Sequence, residues 1–269
     1  MNQQSTTSLI GDRKLTIFKT PTMNYPELWM EVFVAGDDFE QQRFAHMFCK
    51  ARCTKADSPE VADLVVFTGG VDVNPVYYGA EPHPMTDKPD HKRDEEDIKL
   101  YEFCLKNGIP MFGVCRGAQF LSVMNGGKLY QHVNNHNGTH DMYIPGRSPG
   151  LMKVSSVHHQ SIIENRAGGM KVLGDATKAT EHWLDANNQT KGTVYDVEAY
   201  FYRDTCCFGV QGHPEYTGYD DFTKWCLDMI DELVTRSPDT EVRGRYRRLK
   251  QDLIDQRELK WTEKNKELN

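Results

Sequence analysis

A cysteine flanked by two glycines has the sequence context that most clearly favours chemistry in this chain. Residues 113–119 read GVCRGAQ, so glycines stand two positions before and two positions after Cys115. A reactive side chain at a tight strand-to-helix turn needs such small neighbours, because a Cβ atom at either position would collide across the bend. The dipole and the free N–H groups of the following helix favour the thiolate, so the pattern predicts a cysteine nucleophile.

A cysteine nucleophile that cleaves an amide needs a proton shuttle and a group that orients the shuttle. Residues 210–215, VQGHPE, follow an apolar run and contain both side-chain types, in His213 and Glu215. Residues two apart share a face of an extended backbone, so the spacing predicts that Glu215 holds the imidazole of His213. The sequence therefore predicts a catalytic triad of Cys115, His213 and Glu215.

Backbone N–H groups near the nucleophile are needed to stabilise the oxyanion that forms during acyl transfer. Residues 62–70, ADLVVFTGG, read as a buried strand that ends in Gly69 and Gly70. Glycine lets a substrate approach the backbone closely, and we expect the N–H groups of Gly70 and Arg116 to form the oxyanion hole. Two glycines after a strand can equally form a simple turn, and that alternative stays open.

Short apolar runs alternate with segments of helical periodicity along the chain. Strands are predicted at residues 15–18, 29–34, 62–67, 109–114, 152–157, 171–173, 194–200 and 206–210, and helices at residues 38–53, 93–106, 117–124 and 220–235. Alternating strands and helices with short connections indicate an α/β fold in which helices flank a mostly parallel central sheet.

The sequence divides into three parts. Residues 1–14 are polar and predicted to be loose, residues 15–236 form one catalytic domain, and residues 237–269 form a charged helical extension. Apolar residues in the extension recur at 4-3-4 spacing, which predicts a helix that folds back on its own domain or docks on a partner or a second copy. The residues of this stripe are Val242, Tyr246, Leu249 and Leu253.

Composition excludes several classes of protein. The 269 residues carry a formal net charge of −7, which argues against broad, charge-driven binding to nucleic acid. Apolar runs are too short to cross a membrane, and the N-terminal residues lack the order of a secretory signal, so we expect a cytoplasmic protein. Seven cysteines, an odd number, indicate reduced thiols, and we expect the six other than Cys115 to be packed.

With these residues in this order, the chain resembles the class I glutamine amidotransferase superfamily, which has a flavodoxin-like fold. Within it, the chain resembles the γ-glutamyl hydrolase-like branch, which includes γ-glutamyl-γ-aminobutyrate hydrolases. Three more segments carry the narrower likeness: GGVDVNP at 69–75 followed by Tyr78 and Gly79, GGKLYQ at 126–131, and SVHHQ at 156–160. The likeness covers residues 15–235.

The resemblance implies attack on a γ-glutamyl amide, a thioester at Cys115 that water resolves, and release of ammonia or an amine. It implies neither a cofactor nor a metal. It also implies that substrate is bound by residues of the shared motifs, which are Gly69, Asp72, Gln119, His158 and His159. For the two histidines, support of the active-site wall is an equal alternative.

The chain departs from the family pattern at two positions. Residues 93–97, RDEED, resemble an R-D-x-x-E stretch but end in Asp97, a shorter carboxylate. Gly212 stands where the branch usually has a tryptophan, and we expect the loss of that ring to widen the pocket beside His213. The leaving amine is therefore not inferred from the resemblance.

Three functions remain open. The protein is predicted either to work alone as a γ-glutamyl amine or peptide hydrolase, or to serve as a glutaminase subunit that passes ammonia to a separate ATP-dependent synthetase. The third function is that of a non-catalytic binding protein on the same scaffold.

A run of histidines suggests a further kind of site. His132, His136 and His140 recur every four residues, which on a helix would suggest zinc. The surrounding asparagines and a glycine disfavour a helix, so we expect a polar loop on the substrate side.

Overall fold

The computed structural model describes residues 6–10, 13–17, 23–148, 150–191 and 194–235. The α-helices are α1 (Asp38–Cys49), α2 (His91–Asn107), α3 (Arg116–Met124) and α4 (Asp220–Ile230). The strands are β1 (Thr6–Ile10), β2 (Arg13–Ile17), β3 (Glu31–Ala35), β4 (Thr54–Lys55), β5 (Leu64–Phe67), β6 (Met111–Val114), β7 (Leu129–Tyr130), β8 (His132–Val133), β9 (Asn137–Tyr143), β10 (Leu151–Val157), β11 (Ser161–Ile162), β12 (Met170–Ala176), β13 (Glu181–Trp183), β14 (Gln189–Lys191), β15 (Asp196–Tyr202) and β16 (Cys207–Val210).

The central sheet is parallel where the predicted nucleophile lies. Strands β4, β3, β5, β6 and β16 follow one another in parallel, and the sheet continues through β15, β12, β9 and β10 in antiparallel pairing. Phe67 of β5 and Val210 of β16 lie on either side of β6, paired with Gly113 and Val114. The predicted α/β fold with a mostly parallel central sheet is confirmed. Strands β15, β12, β9 and β10 add a part that we call the antiparallel wing.

Helices cover both faces of the sheet and divide the core into two clusters. Phe44 of α1 and Phe222 of α4 belong to one cluster, and Tyr101 of α2 and Phe120 of α3 belong to the other. Strands β5 and β6 are buried along their whole length, since parallel strands covered on both faces read as continuous apolar runs. This three-layer arrangement brings the carboxyl ends of β5, β6 and β16 to one edge.

Several element boundaries differ from the sequence prediction for local reasons. Helix α1 ends at Cys49 rather than at residue 53, and Arg52 has a left-handed φ of +60° that no helix continues through. Helix α2 begins at His91, two residues early, because the side chain of Asp90 accepts a hydrogen bond from the Arg93 N–H and caps it. Helix α4 ends at Ile230, and the chain continues as a π-helix over Asp231–Thr235.

The predictions for the two chain termini have different outcomes. Strands β1 and β2 pair in antiparallel fashion, so a segment that was expected to be loose contains a strand. The predicted extension at 237–269 lies outside the described residues.

All seven cysteines lie in the described part of the chain, and no disulfide bond joins any two of them. The prediction that six of them are packed is wrong for Cys49, which is exposed at the end of α1. Among the helices that the structure describes, there is none whose length and apolar character would let it cross a membrane.

Candidate active site

Cys115 occupies a strained turn between β6 and α3. Its φ of +53° and ψ of −113° are rare for a residue with a Cβ atom. A Cβ atom added to Gly113 would lie 2.7 Å from the Ala118 nitrogen, and one added to Gly117 would lie 2.0 Å from the Phe67 carbonyl oxygen. The steric reason for glycine on both sides of the cysteine, predicted from the sequence, is thus present in the fold.

Backbone hydrogen bonds hold the turn on both sides. The Cys115 N–H donates to the Val210 carbonyl at 2.9 Å, and the Cys115 carbonyl accepts from the Gln119 N–H at 3.0 Å. The side chain is 7% exposed, which leaves it at the edge of the core rather than inside it. Residues that the surrounding structure holds in a strained backbone conformation in this way are common at functional sites.

The imidazole of His213 is held by Glu215, as predicted, but by a different route. The His213 Nδ1 lies 2.7 Å from Glu215 Oε1. The backbone is not extended here: the Tyr216 N–H donates to the His213 carbonyl at 3.3 Å, and the turn brings the carboxylate back to the ring. The ring of Tyr216 stacks on the imidazole with centroids 4.4 Å apart, which fixes its plane.

The environment of His213 favours the imidazolium. Burial alone would lower the pKa of His213, but hydrogen bonds and charge interactions with Cys115 and Glu215 raise it to about 11. Because Nδ1 is taken by Glu215, Nε2 is the nitrogen left for the thiol. An imidazolium beside a thiolate is the resting form that a Cys–His nucleophile requires.

The two glycines after β5 reach the predicted nucleophile and its shuttle. A Cβ atom added to Gly69 would lie 3.1 Å from Cε1 of His213 and 3.9 Å from Cβ of Cys115. Gly70 has a φ of +147°, and a Cβ atom there would lie 3.3 Å from Cδ of Arg116. The structure thus brings the two residues predicted for the oxyanion hole next to each other; the part played by their N–H groups stays a prediction.

The side chain of Arg116 has a role that sequence reasoning missed. It is fully buried, donates to Asp94 Oδ1 at 2.6 Å and forms a second ion pair with Asp97. Arg93 donates to Asp97 Oδ2, the oxygen that Arg116 also contacts, at 3.0 Å, and to Thr68 Oγ1 at 3.0 Å. The RDEED segment of α2 therefore clamps the residue after the nucleophile and the end of β5.

The two departures from the family pattern have structural explanations. Asp97 reaches Arg93 and Arg116 from the same carboxylate oxygen, so the shorter side chain suffices. The expected widening of the pocket at Gly212 is wrong. A Cβ atom there would lie 2.9 Å from the Ser155 carbonyl oxygen and 3.0 Å from the Phe222 ring, so the position points into packed structure.

Apart from Gly69, the residues predicted to bind substrate fall into two groups. In the first, Asp72 and His159 lie together, with His159 Nε2 3.2 Å from Asp72 Oδ2. The hydrogen bond to Asp72 is the main cause that raises the pKa of His159. His132 and His83 continue this group, with His132 Nδ1 3.4 Å from His159 Nδ1 and its ring stacked on His83.

Gln119 and His158 form the second group, which faces the interior. Gln119 donates to the Gln160 carbonyl at 3.2 Å, and His158 Nδ1 lies 2.8 Å from the same oxygen. Burial lowers the pKa of His158 to about 4. For His158, wall support is therefore the better of the two alternatives.

The polar loop expected around His136 and His140 is wrong. Both histidines are buried, and their rings meet edge to face at 5.0 Å. They lie against Glu198 of β15, with which His140 Nε2 is in contact at 3.0 Å. Asp196 and Glu198, two acidic residues in an otherwise apolar strand, were the sequence signal for this buried cluster.

Glu40 is a further residue near the site that sequence reasoning missed. Its Oε1 would lie 3.7 Å from a Cβ atom on Gly69, and its other oxygen lies beside Gly36. Burial raises the pKa of Glu40, and a hydrogen bond with Thr68 offsets part of that rise. The sequence feature that could have indicated Glu40 is a carboxylate in the first helical turn after β3, at the edge where α/β sheets bind ligands.

Among solved structures, the fold is similar to that of a glutamine amidotransferase from Thermotoga maritima. The TM-score is 0.50 at 18% sequence identity, and the match covers 83% of this chain and 96% of that one.

The sequence is similar to those of two curated proteins. It is 31% identical over 176 residues to Protein NtpR of Enterococcus hirae, a match that covers 58% of this chain and 67% of NtpR. It is 27% identical over 197 residues to the glutamine-hydrolyzing GMP synthase of Clostridium botulinum, which covers 70% of this chain and 32% of the synthase. The chain spans as little as 22% of the length of another relative, from Mycobacterium tuberculosis.

The Peptidase C26 family profile matches residues 55–215, a segment that contains the strand-to-helix elbow at Cys115, the glycines after β5 and the His213–Glu215 pair. The match extends over more than half of the chain. The predicted likeness to the class I glutamine amidotransferase superfamily is confirmed, and the chain belongs to the Peptidase C26 family.

Proposed function

We propose that the protein hydrolyses γ-glutamyl amide bonds through a γ-glutamyl thioester on Cys115. The observation that carries the proposal is the meeting of a cysteine on a strand-to-helix elbow with an imidazole that a carboxylate holds at 2.7 Å. Gly69 lies against both side chains without a Cβ atom of its own, so a carbonyl group can enter beside them. Membership of the Peptidase C26 family supports a hydrolase.

In the first half-reaction, the thiolate of Cys115 attacks the carbonyl carbon of the amide and forms a C–S bond. The N–H groups of Gly70 and Arg116 stabilise the oxyanion. The imidazolium of His213 donates its proton to the leaving nitrogen. The C–N bond then breaks, ammonia or an amine departs, and the acyl group stays on sulfur.

In the second half-reaction, neutral His213 accepts a proton from water, and the resulting hydroxide attacks the thioester carbonyl. The C–S bond breaks, the γ-glutamyl acid leaves, and the thiolate and the imidazolium are restored. Glu215 keeps the ring in one tautomer through both halves. Glu215 itself transfers no proton.

A second candidate function is that of a glutaminase subunit which passes ammonia to a separate ATP-dependent synthetase. The likeness to a glutamine-hydrolyzing GMP synthase favours it, because the match covers 70% of this chain but 32% of the synthase. Self-association through the C-terminal extension is a further proposal, and neither a membrane nor a nucleic acid is proposed as a partner.

Product release from the purified full chain tests the proposal and separates the candidates. Glutamine and a panel of γ-glutamyl amines are supplied, and glutamate, ammonia and free amine are measured for the wild type, Cys115→Ser and the exposed-thiol control Cys49→Ser. Steady turnover of γ-glutamyl amines by the wild type and the control supports the stand-alone hydrolase. Glutaminase activity that needs an added synthetase supports the subunit. If the wild type and Cys115→Ser release products at the same background rate, both enzymatic functions are contradicted. The remaining function is then that of a non-catalytic binding protein.

A further inference from the structure

Three buried side chains from the antiparallel wing converge at a point that the proposed hydrolysis does not use. His136, which precedes β9, His158, which follows β10, and Glu198 on β15 each offer one atom, and the three atoms lie within 4.8 Å of one another. All three residues are buried, Glu198 to within 1% of full burial. The cluster brings two imidazoles and one carboxylate together in the protein interior.

The atoms that face the centre of this cluster have few partners. Among the described residues, Glu198 Oε2 and His158 Nε2 have no hydrogen-bond partner, whereas Glu198 Oε1 lies 3.0 Å from His140 Nε2. His158 Nδ1 lies 2.8 Å from the Gln160 carbonyl. A ring held through one nitrogen by a backbone carbonyl has its other nitrogen oriented as a ligand.

A second buried carboxylate orients the other imidazole. Asp196 Oδ2 lies 3.0 Å from His136 Nε2, and Oδ1 lies 2.6 Å from His182 Nε2. With Nε2 engaged, His136 has Nδ1 facing Glu198 Oε1 at 3.6 Å, and the Ser156 hydroxyl lies 3.2 Å from the same nitrogen. Carboxylates behind ligand histidines are the usual outer shell of protein metal sites.

We propose that His136, His158 and Glu198 bind a zinc ion. Two imidazole nitrogens and a carboxylate oxygen are a donor set that zinc accepts. Glu198 of the cluster and Asp196 behind it are both buried carboxylates, and a divalent cation offsets the cost of burying their charge. His140, whose Nε2 lies 3.0 Å from Glu198 Oε1, is the nearest further donor.

Zinc binding predicts a measurable contraction of the cluster. Ligand atoms about 2.0–2.1 Å from a tetrahedral zinc lie about 3.3 Å apart, so the side chains move together by roughly 1 Å. The bound ion ties β9, β10 and β15 together behind the site. Ser156, which contacts His136, is next in sequence to Ser155, which contacts the backbone of His213.

The competing explanation is an ion pair between Glu198 and a protonated histidine, with no metal. The two explanations differ in a readout that does not involve catalysis. The full chain is stripped with a chelator, and zinc uptake is measured by elemental analysis, by calorimetric titration and by the shift in thermal midpoint. The proposal predicts one zinc per chain and a higher thermal midpoint on zinc addition.

Variants then locate the ion. Glu198→Gln and His158→Gln are expected to abolish the stoichiometric uptake, and Asp196→Asn to weaken it about 10–100-fold. His159→Gln is the matched control, since this histidine lies beside Asp72 and Asp87 in a separate, more exposed group. The control is expected to keep the full zinc equivalent.

Three results overturn the proposal. The first is that the wild-type protein takes up no zinc and gains no thermal stability from it. The second is that only His159→Gln loses the zinc. The third is that Glu198→Gln or His158→Gln is folded and still binds the full zinc equivalent. Cobalt(II) substituted into the wild type gives an answer that does not depend on the folding of any variant. Intense visible absorption from a low-coordinate, partly imidazole-ligated ion supports the site, and the weak spectrum of hydrated cobalt contradicts it.

Discussion

The hydroxyl oxygen of Ser155 accepts a 2.7 Å hydrogen bond from the backbone N–H of His213. The two residues are 58 positions apart in sequence, and the bond ties the antiparallel wing to the segment that carries the proposed proton shuttle. Ser155 is buried and its hydroxyl also lies 3.4 Å from the His213 carbonyl. The position of the imidazole therefore depends on β10 as well as on β16, which precedes His213 in the chain.

Replacing Ser155 with alanine is expected to lower both stability and activity. A buried N–H group left without its acceptor costs about 1–3 kcal/mol in free energy of unfolding, and the imidazole loses part of its positioning. Denaturant unfolding and the rate of Cys115 acylation check the prediction. Ser161→Ala is the matched control, because its buried hydroxyl makes no hydrogen bond within the described structure. Equal effects of the two changes would contradict the proposed role of Ser155.

The titration of His213 is expected to depend on the thiol of Cys115. Interactions with Cys115 and Glu215 raise the pKa of His213 to about 11 against the opposing effect of burial. Cys115→Ser removes the first of these interactions while burial remains, so the pKa falls. Histidine ring resonances followed by NMR across pH measure the change, with Cys49→Ser as the unaffected control. A wild-type His213 that titrates near 6.5, its usual value, and stays there in Cys115→Ser would speak against the ion pair.

Gly117→Ala is expected to destabilise the protein by more than about 3 kcal/mol, above the usual cost of overpacking. The added Cβ atom would lie 2.0 Å from the Phe67 carbonyl oxygen, and neither backbone can move without distorting the elbow. Gly126→Ala is the control for backbone strain alone, with a φ of +79° and open space, and should cost about 1–2 kcal/mol. Chemical denaturation compares the two, and a Gly117→Ala as stable as the control would refute the steric account.

Asp97→Asn is expected to cost about 3–5 kcal/mol, because it removes a carboxylate from a fully buried arginine. Asp97 pairs with both Arg93 and Arg116, and Arg116 follows the nucleophile directly. Glu96→Gln, one residue earlier on the exposed face of α2, should change stability by less than about 1 kcal/mol. The free energies of unfolding of the two variants test this prediction. A mild effect of Asp97→Asn would mean that Asp94 alone is a sufficient ion-pair partner for Arg116.

The parts of the site that sequence could predict are those that local geometry governs. Glycines at two positions around Cys115 are dictated by a bend only a few residues long, and the following helix has a clear apolar face. The Glu215–His213 contact was predicted from strand geometry, whereas the chain achieves it with a turn. Residue spacing alone does not distinguish the two routes.

The buried polar clusters depend on contacts between distant segments. Arg116 meets Asp94 and Asp97 across about 20 residues, and His136 meets Asp196 across 60. A sequence pattern shows that Asp196 and Glu198 interrupt an apolar strand, but it does not show which histidines compensate them. Packing around Gly212 was likewise not predictable, because Ser155 and Phe222 come from other elements.

Cys115 is proposed to carry a γ-glutamyl thioester during turnover. Intact-mass spectrometry of the full chain, quenched in acid during reaction with glutamine and γ-glutamyl amines, followed by peptide mapping, tests it most directly. We expect a γ-glutamyl adduct on the peptide that contains Cys115, absent from Cys115→Ser and present in Cys49→Ser. Product formation by the wild type with no adduct under any quench, or an adduct on another residue, would contradict it.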